Sequence, residues 1–371
     1  MIFKRFSFGI AIDLKLFLSS AMLLFGLYFT QITTAQNTNI TFRSQLTYND
    51  DMSDIWGYEI NGFEYAIATV ANGVSIVDVT DPDNINEIFW VDGPSTFWRD
   101  PKTWGNFVYI TNEANGGLQI IDLSALPVGN INNSDVYYWT GGDFQGNNVN
   151  FNSAHNIFID ENGIGYIVGA DYGAGGAIMI DLNANPINPP IVGIYNERYV
   201  HDAFARGDTL WTGEINNGIF SVIDVSDKAN PVVLATQATT SNFTHNIWAS
   251  DDGNYVFTTD ETSNANIDSY DVSTTNDIQL IDTYQSNPGS NAIPHNVFVK
   301  DKFIFISYYR DGVVLLDSTF PDNLIEVGNC DTSPNFNGNG FNGCWGVYPY
   351  LPSGTILATD IEEGLYVLSP N

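Results

Sequence analysis

Histidine, cysteine and positive charge are the scarce features of this 371-residue sequence. It holds four histidines and two cysteines, and 12 lysines and arginines stand against 43 aspartates and glutamates. The resulting net charge of −31 excludes nucleic acid and anionic lipid surfaces as partners, because such a protein repels their phosphates. Acidity of this degree suits a soluble protein in salty extracellular fluid. The alternative use is the collection of divalent cations.

After residue 35, the sequence has no long amphipathic helical pattern and no long apolar run. In the first part of the chain, Lys4 and Arg5 precede an apolar core at residues 16–30, and Thr34-Ala35-Gln36 offers a small-residue cleavage site. This order is typical of a secretory signal peptide. We therefore predict a signal peptide at residues 1–35 and a secreted protein, whether extracellular, cell-surface or periplasmic. An uncleaved anchor is the alternative, but the core is short for a membrane-spanning helix, and no later segment is expected to cross a membrane.

Short β-branched and aromatic runs, separated by glycine, asparagine, aspartate and proline, fill the rest of the chain. That pattern is typical of an all-β protein. One phrase, a run of apolar residues that in most copies starts with glycine and ends in aspartate, occurs seven times. Its copies begin at Gly73, Gly117, Gly176, Gly218, Ile267, Gly312 and Gly364. A period of roughly 40 to 50 residues that holds four short strands predicts a seven-bladed β-propeller, built as one domain from residues 36–371.

The last repeat stops at Leu368 without a fourth strand, and a strand without a partner is predicted at residues 40–48. An open propeller would expose two unpaired sheet edges. We therefore predict that residues 40–48 pair with residues 364–368 and complete the last blade, which closes the ring.

Cys330 and Cys344 are the two cysteines, and both lie near the end of the chain around a loop rich in asparagine and glycine. In an exported protein such a pair is expected to form a disulfide. Its loop closure would contribute roughly 3 kcal/mol in the chain-entropy model. A thiolate metal site is the alternative, but neither a third sulfur nor a nearby histidine supports it.

All four histidines occupy the same place in a second repeated phrase. The four copies are Ala154-His155-Asn156-Ile157-Phe158, Val200-His201-Asp202-Ala203-Phe204, Thr244-His245-Asn246-Ile247-Trp248 and Pro294-His295-Asn296-Val297-Phe298. Each copy opens a run of apolar residues, which predicts the first strand of a blade. Because the first strands of a propeller line its central channel, we expect the four imidazoles to meet at one mouth of that channel.

The segment Ile76-Val-Asp-Val-Thr-Asp-Pro82 resembles the LVIVD repeat. Together with the histidine phrases and the predicted signal peptide, it makes the chain similar to the choice-of-anchor B family of exported bacterial proteins. The resemblance extends over nearly all of the chain after residue 35. It implies a propeller fold and an exported location, and it implies no particular reaction.

Aligning the repeats predicts which other side chains share the mouth with the histidines. Some stand at the histidine position of other blades or beside it, and some follow the second strands, which open on the same face. These candidates for ligand binding are Trp56, Arg99, Glu113, Asp202, Glu214, Glu261, Arg310 and Trp345. Arg99 and Arg310 would hold an anionic group, while the indoles would stack on a sugar or pack between blades.

The histidines leave two hypotheses open. In one, His155, His201, His245 and His295 bind a divalent transition metal such as zinc or copper. In the other, the neutral rings only bond neighbouring loops within the fold. Calcium at an acidic rim loop such as residues 50–54 is a further candidate, with a plain turn as its alternative.

We therefore expect an exported binding scaffold, most simply a monomer. Its partner would be a small molecule, a glycan or a protein at the channel mouth. The alternatives are a metal-dependent hydrolase or oxidase and a purely structural surface protein.

Overall fold

The computed structural model describes residues 37–371, so the predicted signal peptide lies outside the described residues. The described part contains seven four-stranded antiparallel sheets and one two-stranded hairpin. The first strands of consecutive sheets contact one another around a closed ring, from the first sheet through the seventh and back to the first. The fold is the all-β, seven-bladed propeller that the repeats predicted.

The strand β1 (Ile40–Leu46) precedes the first blade, and the next three blades follow in chain order. Blade one contains β2 (Met52–Ile60), β3 (Phe63–Val70), β4 (Gly73–Asp78) and β5 (Asn86–Asp92). Blade two contains β6 (Arg99–Trp104), β7 (Phe107–Asn112), β8 (Leu118–Asp122), a short 3-10 helix (Asn133–Asp135) and β9 (Val136–Trp139). The hairpin β10 (Gly141–Phe144) and β11 (Asn147–Asn150) leads to blade three, with β12 (Asn156–Ile159), β13 (Ile164–Val168), β14 (Ala177–Asp181) and β15 (Ile191–Tyr195).

The remaining four blades repeat the same order of strands. Blade four contains β16 (Asp202–Arg206), β17 (Thr209–Glu214), β18 (Ile219–Asp224) and β19 (Val232–Ala238). Blade five contains β20 (Thr244–Ala249), β21 (Tyr255–Asp260), β22 (Ile267–Asp271) and β23 (Gln279–Tyr284). Blade six contains β24 (Pro294–Lys300), β25 (Phe303–Tyr308), β26 (Gly312–Asp317) and β27 (Ile325–Cys330), and blade seven adds β28 (Cys344–Tyr348), β29 (Ile356–Asp360) and β30 (Gly364–Pro370).

The fourth strand of blade seven is β1, which comes from the other end of the described chain. It pairs antiparallel with β30, from Ile40 opposite Pro370 to Leu46 opposite Leu365. Ile40 is buried. This pairing gives the last sheet the same four strands as the others and leaves β30 with a partner on both sides.

The aspartate of the repeated apolar phrase has a local structural reason. In blade one, Asp78 Oδ1 accepts a hydrogen bond from the backbone N–H of Thr80, at 3.0 Å. The same bond, two residues along the chain, recurs at Asp122, Asp181, Asp224, Asp271 and Asp317. An aspartate that bonds its own backbone in this way forms the turn, here the one that leads into the fourth strand. The repeat therefore encodes a blade corner as well as a strand.

The predicted disulfide is wrong, because both thiols are free and buried. Cys330 ends the outer strand of blade six, where it lies opposite Val313, and Cys344 begins the inner strand of blade seven, opposite Asp360. The two cysteines belong to adjacent blades and to one hydrophobic cluster, where both thiols are reduced. Burial raises the pKa of the Cys330 thiol to about 12, which keeps it protonated and unreactive.

Within residues 37–371, no helix has the length and apolar character needed to pass through a bilayer.

Candidate functional site

The four histidines form a continuous row of rings, which we call the histidine crescent (His155, His201, His245 and His295). Neighbouring ring centroids along the crescent are 3.9, 4.3 and 4.3 Å apart. Each histidine lies at the beginning of the inner strand of its blade, as the repeated phrase predicted. The ring of inner strands thus brings together residues that are far apart in the sequence.

The crescent faces a small central cavity of about 20 Å³. Its walls include Arg99, His155, His245, His295 and Trp345. A water needs a cavity of roughly 10–15 Å³ measured in this way. The cavity therefore accommodates an ion, a water molecule or the tip of a larger ligand, and it is too small for a whole sugar ring.

The two outer rings of the crescent are held in a defined orientation. His295 Nδ1 donates to the carbonyl oxygen of Trp345 at 2.6 Å. His155 Nδ1 lies 2.6 Å from Glu113 Oε1, a carboxylate oxygen that accepts the N–H. With Nδ1 engaged in this way, the Nε2 atom of a neutral ring keeps its lone pair. Such a second bond fixes the tautomer and direction of metal-binding histidines.

Glu261 lies against the two histidines of blades five and six. Its Oε2 is 3.7 Å from His245 Nε2, and its Oε1 is 3.9 Å from His295 Nε2. Oε1 also accepts a hydrogen bond from the Tyr309 hydroxyl at 2.5 Å. Burial raises the pKa of Glu261 to about 7, although the Tyr309 bond opposes the shift. This carboxylate is therefore near half-ionised at neutral pH.

Most of the crescent is electrically neutral. Burial, followed by the charges of neighbouring histidines, lowers the pKa of His201 and His245 far below the ordinary value. Burial also lowers the pKa of His295 to about 3. In His155, burial is outweighed by the bond to Glu113 and by nearby carboxylates, so its pKa is raised. Neutral imidazole is the form that binds metal, so three of the four rings are ready for that role.

Asp202 lies beneath the crescent and joins its blades. It accepts hydrogen bonds from the side-chain amides of Asn156 and Asn246. His201 Nδ1 and His245 Nδ1 are 3.7 and 3.5 Å from its oxygens, too far for hydrogen bonds. Both nitrogens are buried, and the rings face the backbone of the next histidine along the crescent, His245 for His201 and His295 for His245. Burial raises the pKa of Asp202 to about 6.

The predicted place of Trp56 is wrong by three residues. A hydroxyl group of the preceding blade donates to the backbone oxygen at the histidine position, as Thr111 does to His155 at 3.1 Å. In blade one that oxygen belongs to Ser53, which accepts from Thr359 at 2.6 Å. Trp56 instead packs deeper in the molecule, against Tyr348 at 4.7 Å. An irregular register between Met52 and Ile55 causes the slip.

Glu214 is also outside the cavity. It is the last residue of β17, whereas Glu113 and Glu261 each follow the end of their strand by one residue. Because side chains alternate along a strand, this one-residue difference turns Glu214 into the blade. There it accepts hydrogen bonds from Ser221 at 2.6 Å and Thr212 at 3.1 Å.

Arg310 follows the second strand of blade six, but it does not line the central cavity. Its guanidinium donates to the backbone oxygens of Asn337 and Asn339 and to the side chain of Asn342. It therefore organises the loop between blades six and seven. Trp345 and Arg99, by contrast, are in the cavity wall.

Two features of the site escaped the sequence analysis. Tyr309 bonds Glu261, and it occupies the position after β25 that corresponds to Glu113 and Glu261, a signal that the alignment contained. Below the cavity, the buried Lys102 ammonium contacts Asp100 and lies 3.9 Å from Asp54. Lys102 stands three residues after Arg99, and the blades with histidine have an aromatic residue at that position. The repeat therefore gives no reason to expect an ion pair there.

Side chains that could share a metal ion form two overlapping groups among the described residues. One contains His155, His201 and His245, and the other contains His245, Glu261 and His295. Within each group the ligand atoms lie within 4.8 Å of one another. The acidic rim at residues 50–54, suggested above for calcium, is not among these groups.

Comparisons with known proteins agree with this architecture. Residues 60–93, 100–127 and 204–239 match the family model described as the LVIVD repeat, while no curated protein matches the chain. The chain is similar to the β-propeller domain of Myceliophteria thermophila Cps50 (Swd1), with 10% identity over 88% of this chain and 99% of that chain and a TM-score of 0.58. At that identity the likeness shows the fold alone. The chain is therefore a β-propeller that carries LVIVD repeats.

Proposed function

We propose that this protein is an exported scaffold that binds a divalent transition metal ion at the mouth of its propeller channel. His245, His295 and Glu261 are the proposed ligands. The observation that carries the proposal is the convergence of two Nε2 atoms on one carboxylate, at 3.7 and 3.9 Å. Ligand atoms at normal zinc distances lie roughly 3.3–3.5 Å apart in a tetrahedral site. These two distances thus need to shorten by only a few tenths of an ångström, and all the ligand atoms of the group lie within 4.8 Å of one another.

The surroundings of these three groups support the same assignment. The Trp345 carbonyl orients His295, and the Tyr309 hydroxyl orients Glu261, as outer hydrogen bonds do in metal sites. His245 and His295 are neutral at physiological pH because burial lowers their pKa. Two imidazoles and one carboxylate suit zinc, copper or iron.

The other parts of the proposal rest on different observations. Export rests on the signal peptide predicted at residues 1–35. The simplest form of the secreted chain is a monomer. A metal-dependent hydrolase is the second candidate, favoured by the water-sized cavity beside His245 and His295. A metal with three protein ligands keeps a position for water or another ligand, and the cavity offers the room for it.

A zinc titration of the chelator-treated chain tests the proposal. We expect one zinc ion per chain in isothermal titration calorimetry, and strong loss of binding in His245→Ala. The matched control is Ser53→Ala, which changes the equivalent position in a blade without histidine. If zinc, copper and iron(II) all fail to bind, or if His245→Ala binds like the wild type, the proposal is wrong.

A further inference from the structure

Arg99 contributes a buried cation with an unused hydrogen-bond donor to the central cavity. The residue is 2% exposed. Its Nε donates to the Val70 carbonyl at 3.2 Å, and one terminal nitrogen donates to the Pro94 carbonyl. The other terminal nitrogen, NH1, is buried and has no partner among the described residues. Leaving a buried charged donor unpaired is costly, so such a group calls for a ligand.

The guanidinium is held in place by the backbone around it. Two carbonyls fix its orientation, and Gly93 lies directly against it. A Cβ at Gly93 would come within 2.7 and 2.8 Å of the two terminal nitrogens. Only a glycine therefore leaves room for the guanidinium in this position. The guanidinium is therefore held rigidly, which favours binding because its side chain loses little conformational freedom when a ligand binds.

The charge of Arg99 is not neutralised by the protein. Among the described residues, no carboxylate lies within ion-pair distance of it. Asp100, which also lines the cavity, is bonded to Lys102, and Asp202 is bonded to Asn156 and Asn246. Burial lowers the pKa of Arg99 to about 10, so the group stays cationic at neutral pH.

We infer that Arg99 NH1 binds an oxygen of a carboxylate or phosphate group, which belongs to the ligand that reaches the proposed metal ion. The inference rests on the proposed function for the position of the metal, and on Arg99 itself for the anion. The proposed metal ligands His245 and His295 and the Arg99 guanidinium line the same cavity, which has a volume of about 20 Å³. That volume admits an oxyanion tip and leaves the body of the ligand outside. NH1 is the guanidinium nitrogen without a protein partner within residues 37–371, so we assign the contact to that nitrogen.

Calorimetry with inorganic phosphate and with acetate, on the zinc-loaded full chain, tests this assignment. We expect at least one probe to bind the wild type, and the stronger of the two to identify the anionic group. Arg99→Met should weaken that binding by at least about 30-fold, the loss of a charged hydrogen bond. Its zinc affinity should change less than about threefold. The control is Arg206→Met, an arginine that donates to the backbone oxygens of Ser250 and Asp251.

A second variant keeps the test decisive if Arg99→Met does not fold. Gly93→Ala retains the arginine but places a methyl group where its terminal nitrogens lie, and it should lose oxyanion binding while it keeps zinc. Unchanged oxyanion binding in either folded variant, or no binding of phosphate and acetate to the wild type at millimolar concentration, overturns the inference. If zinc fails to bind but an Arg99-dependent anion still does, the proposed function falls and the anion site stands.

Discussion

The central cavity has two halves that share one backbone and differ in their side chains. Blades three to six place histidine at the start of the inner strand, whereas blades seven, one and two place Trp345, Ser53 and Arg99 there. In both halves, backbone oxygens at that position accept a hydroxyl of the preceding blade. Thr111 bonds His155 at 3.1 Å in one half, and Ser307 bonds Trp345 at 2.7 Å in the other. Such bonds therefore join blades at positions with an imidazole and at positions without one.

The histidine position serves both the fold and the site that we propose. The hypothesis that the rings bond neighbouring parts of the fold holds for at least two of them, because His295 donates to the Trp345 carbonyl of the next blade and His155 bonds Glu113 of the preceding blade. His245 and His295 are in addition buried and neutral, and both line a cavity of ionic size. The opposite half supplies a buried cation. The two halves are therefore complementary in the binding site that we propose.

The largest expected effect is the loss of zinc affinity when a proposed ligand in the histidine half is removed. His295→Ala removes one of three metal ligands and should lower zinc affinity by at least about 100-fold, since loss of even an outer partner costs 10- to 100-fold. Ser53→Ala, at the same strand position in the other half, should leave the affinity unchanged. Competition with a fluorescent zinc chelator measures both. Equal affinities in the two variants would show that the halves do not differ.

A second comparison sets Glu214 against Glu261, which differ by one residue in strand register. Glu214→Gln should lower the free energy of unfolding by about 1–3 kcal/mol, because the hydroxyls of Ser221 and Thr212 then bond a neutral oxygen instead of a charged one. It should not alter zinc binding. Glu261→Gln should do the reverse, with little loss of stability and strong loss of zinc. Urea unfolding and zinc titration of both variants check this, and a swap of the two outcomes would refute the assignment.

In the chelator-treated protein, the pH dependence of stability tests whether His295 is buried as a neutral ring. The pKa of His295 is about 3 in the folded state and about 6.5 in an unfolded chain. A folded pKa below the unfolded one means that the unfolded state takes up the proton first, so stability falls as pH drops below about 6.5. His295→Asn removes this effect.

Between pH 8 and pH 5 the stability of His295→Asn should therefore improve relative to the wild type by about 2 kcal/mol, from 1.36 kcal/mol per pKa unit. Urea unfolding at both pH values gives the difference. A stability difference between variant and wild type that is independent of pH would mean that His295 is not buried as a neutral ring.

The smallest expected effect concerns the orientation of Glu261. Tyr309→Phe removes the hydroxyl that bonds this carboxylate and should weaken zinc binding by about 10-fold, as expected for an outer partner of a metal ligand. Phe341→Leu, which changes a ring packed on Tyr309 but no donor to Glu261, is the control. Calorimetry on both variants distinguishes a lost hydrogen bond from a general packing change.

The sequence predicts most of this fold and part of the site. Seven copies of one phrase determine the blades, and four repeated histidines determine the crescent, because both signals recur at equivalent strand positions. Trp56 was misplaced because an irregular register in β2 cannot be read from residue similarity. Glu214 was misplaced because a shift of one residue reverses the direction of a side chain. Arg99 was placed correctly, but its unpaired nitrogen depends on two carbonyls and on Gly93, which only the folded chain brings together.

Anomalous diffraction from crystals grown with zinc tests the central claim most directly. The account predicts one peak in each chain, about 2.0–2.2 Å from His245 Nε2, His295 Nε2 and a Glu261 oxygen. A peak elsewhere, or none at zinc concentrations that saturate an ordinary protein site, would contradict the claim that the histidine half of the cavity binds a metal ion.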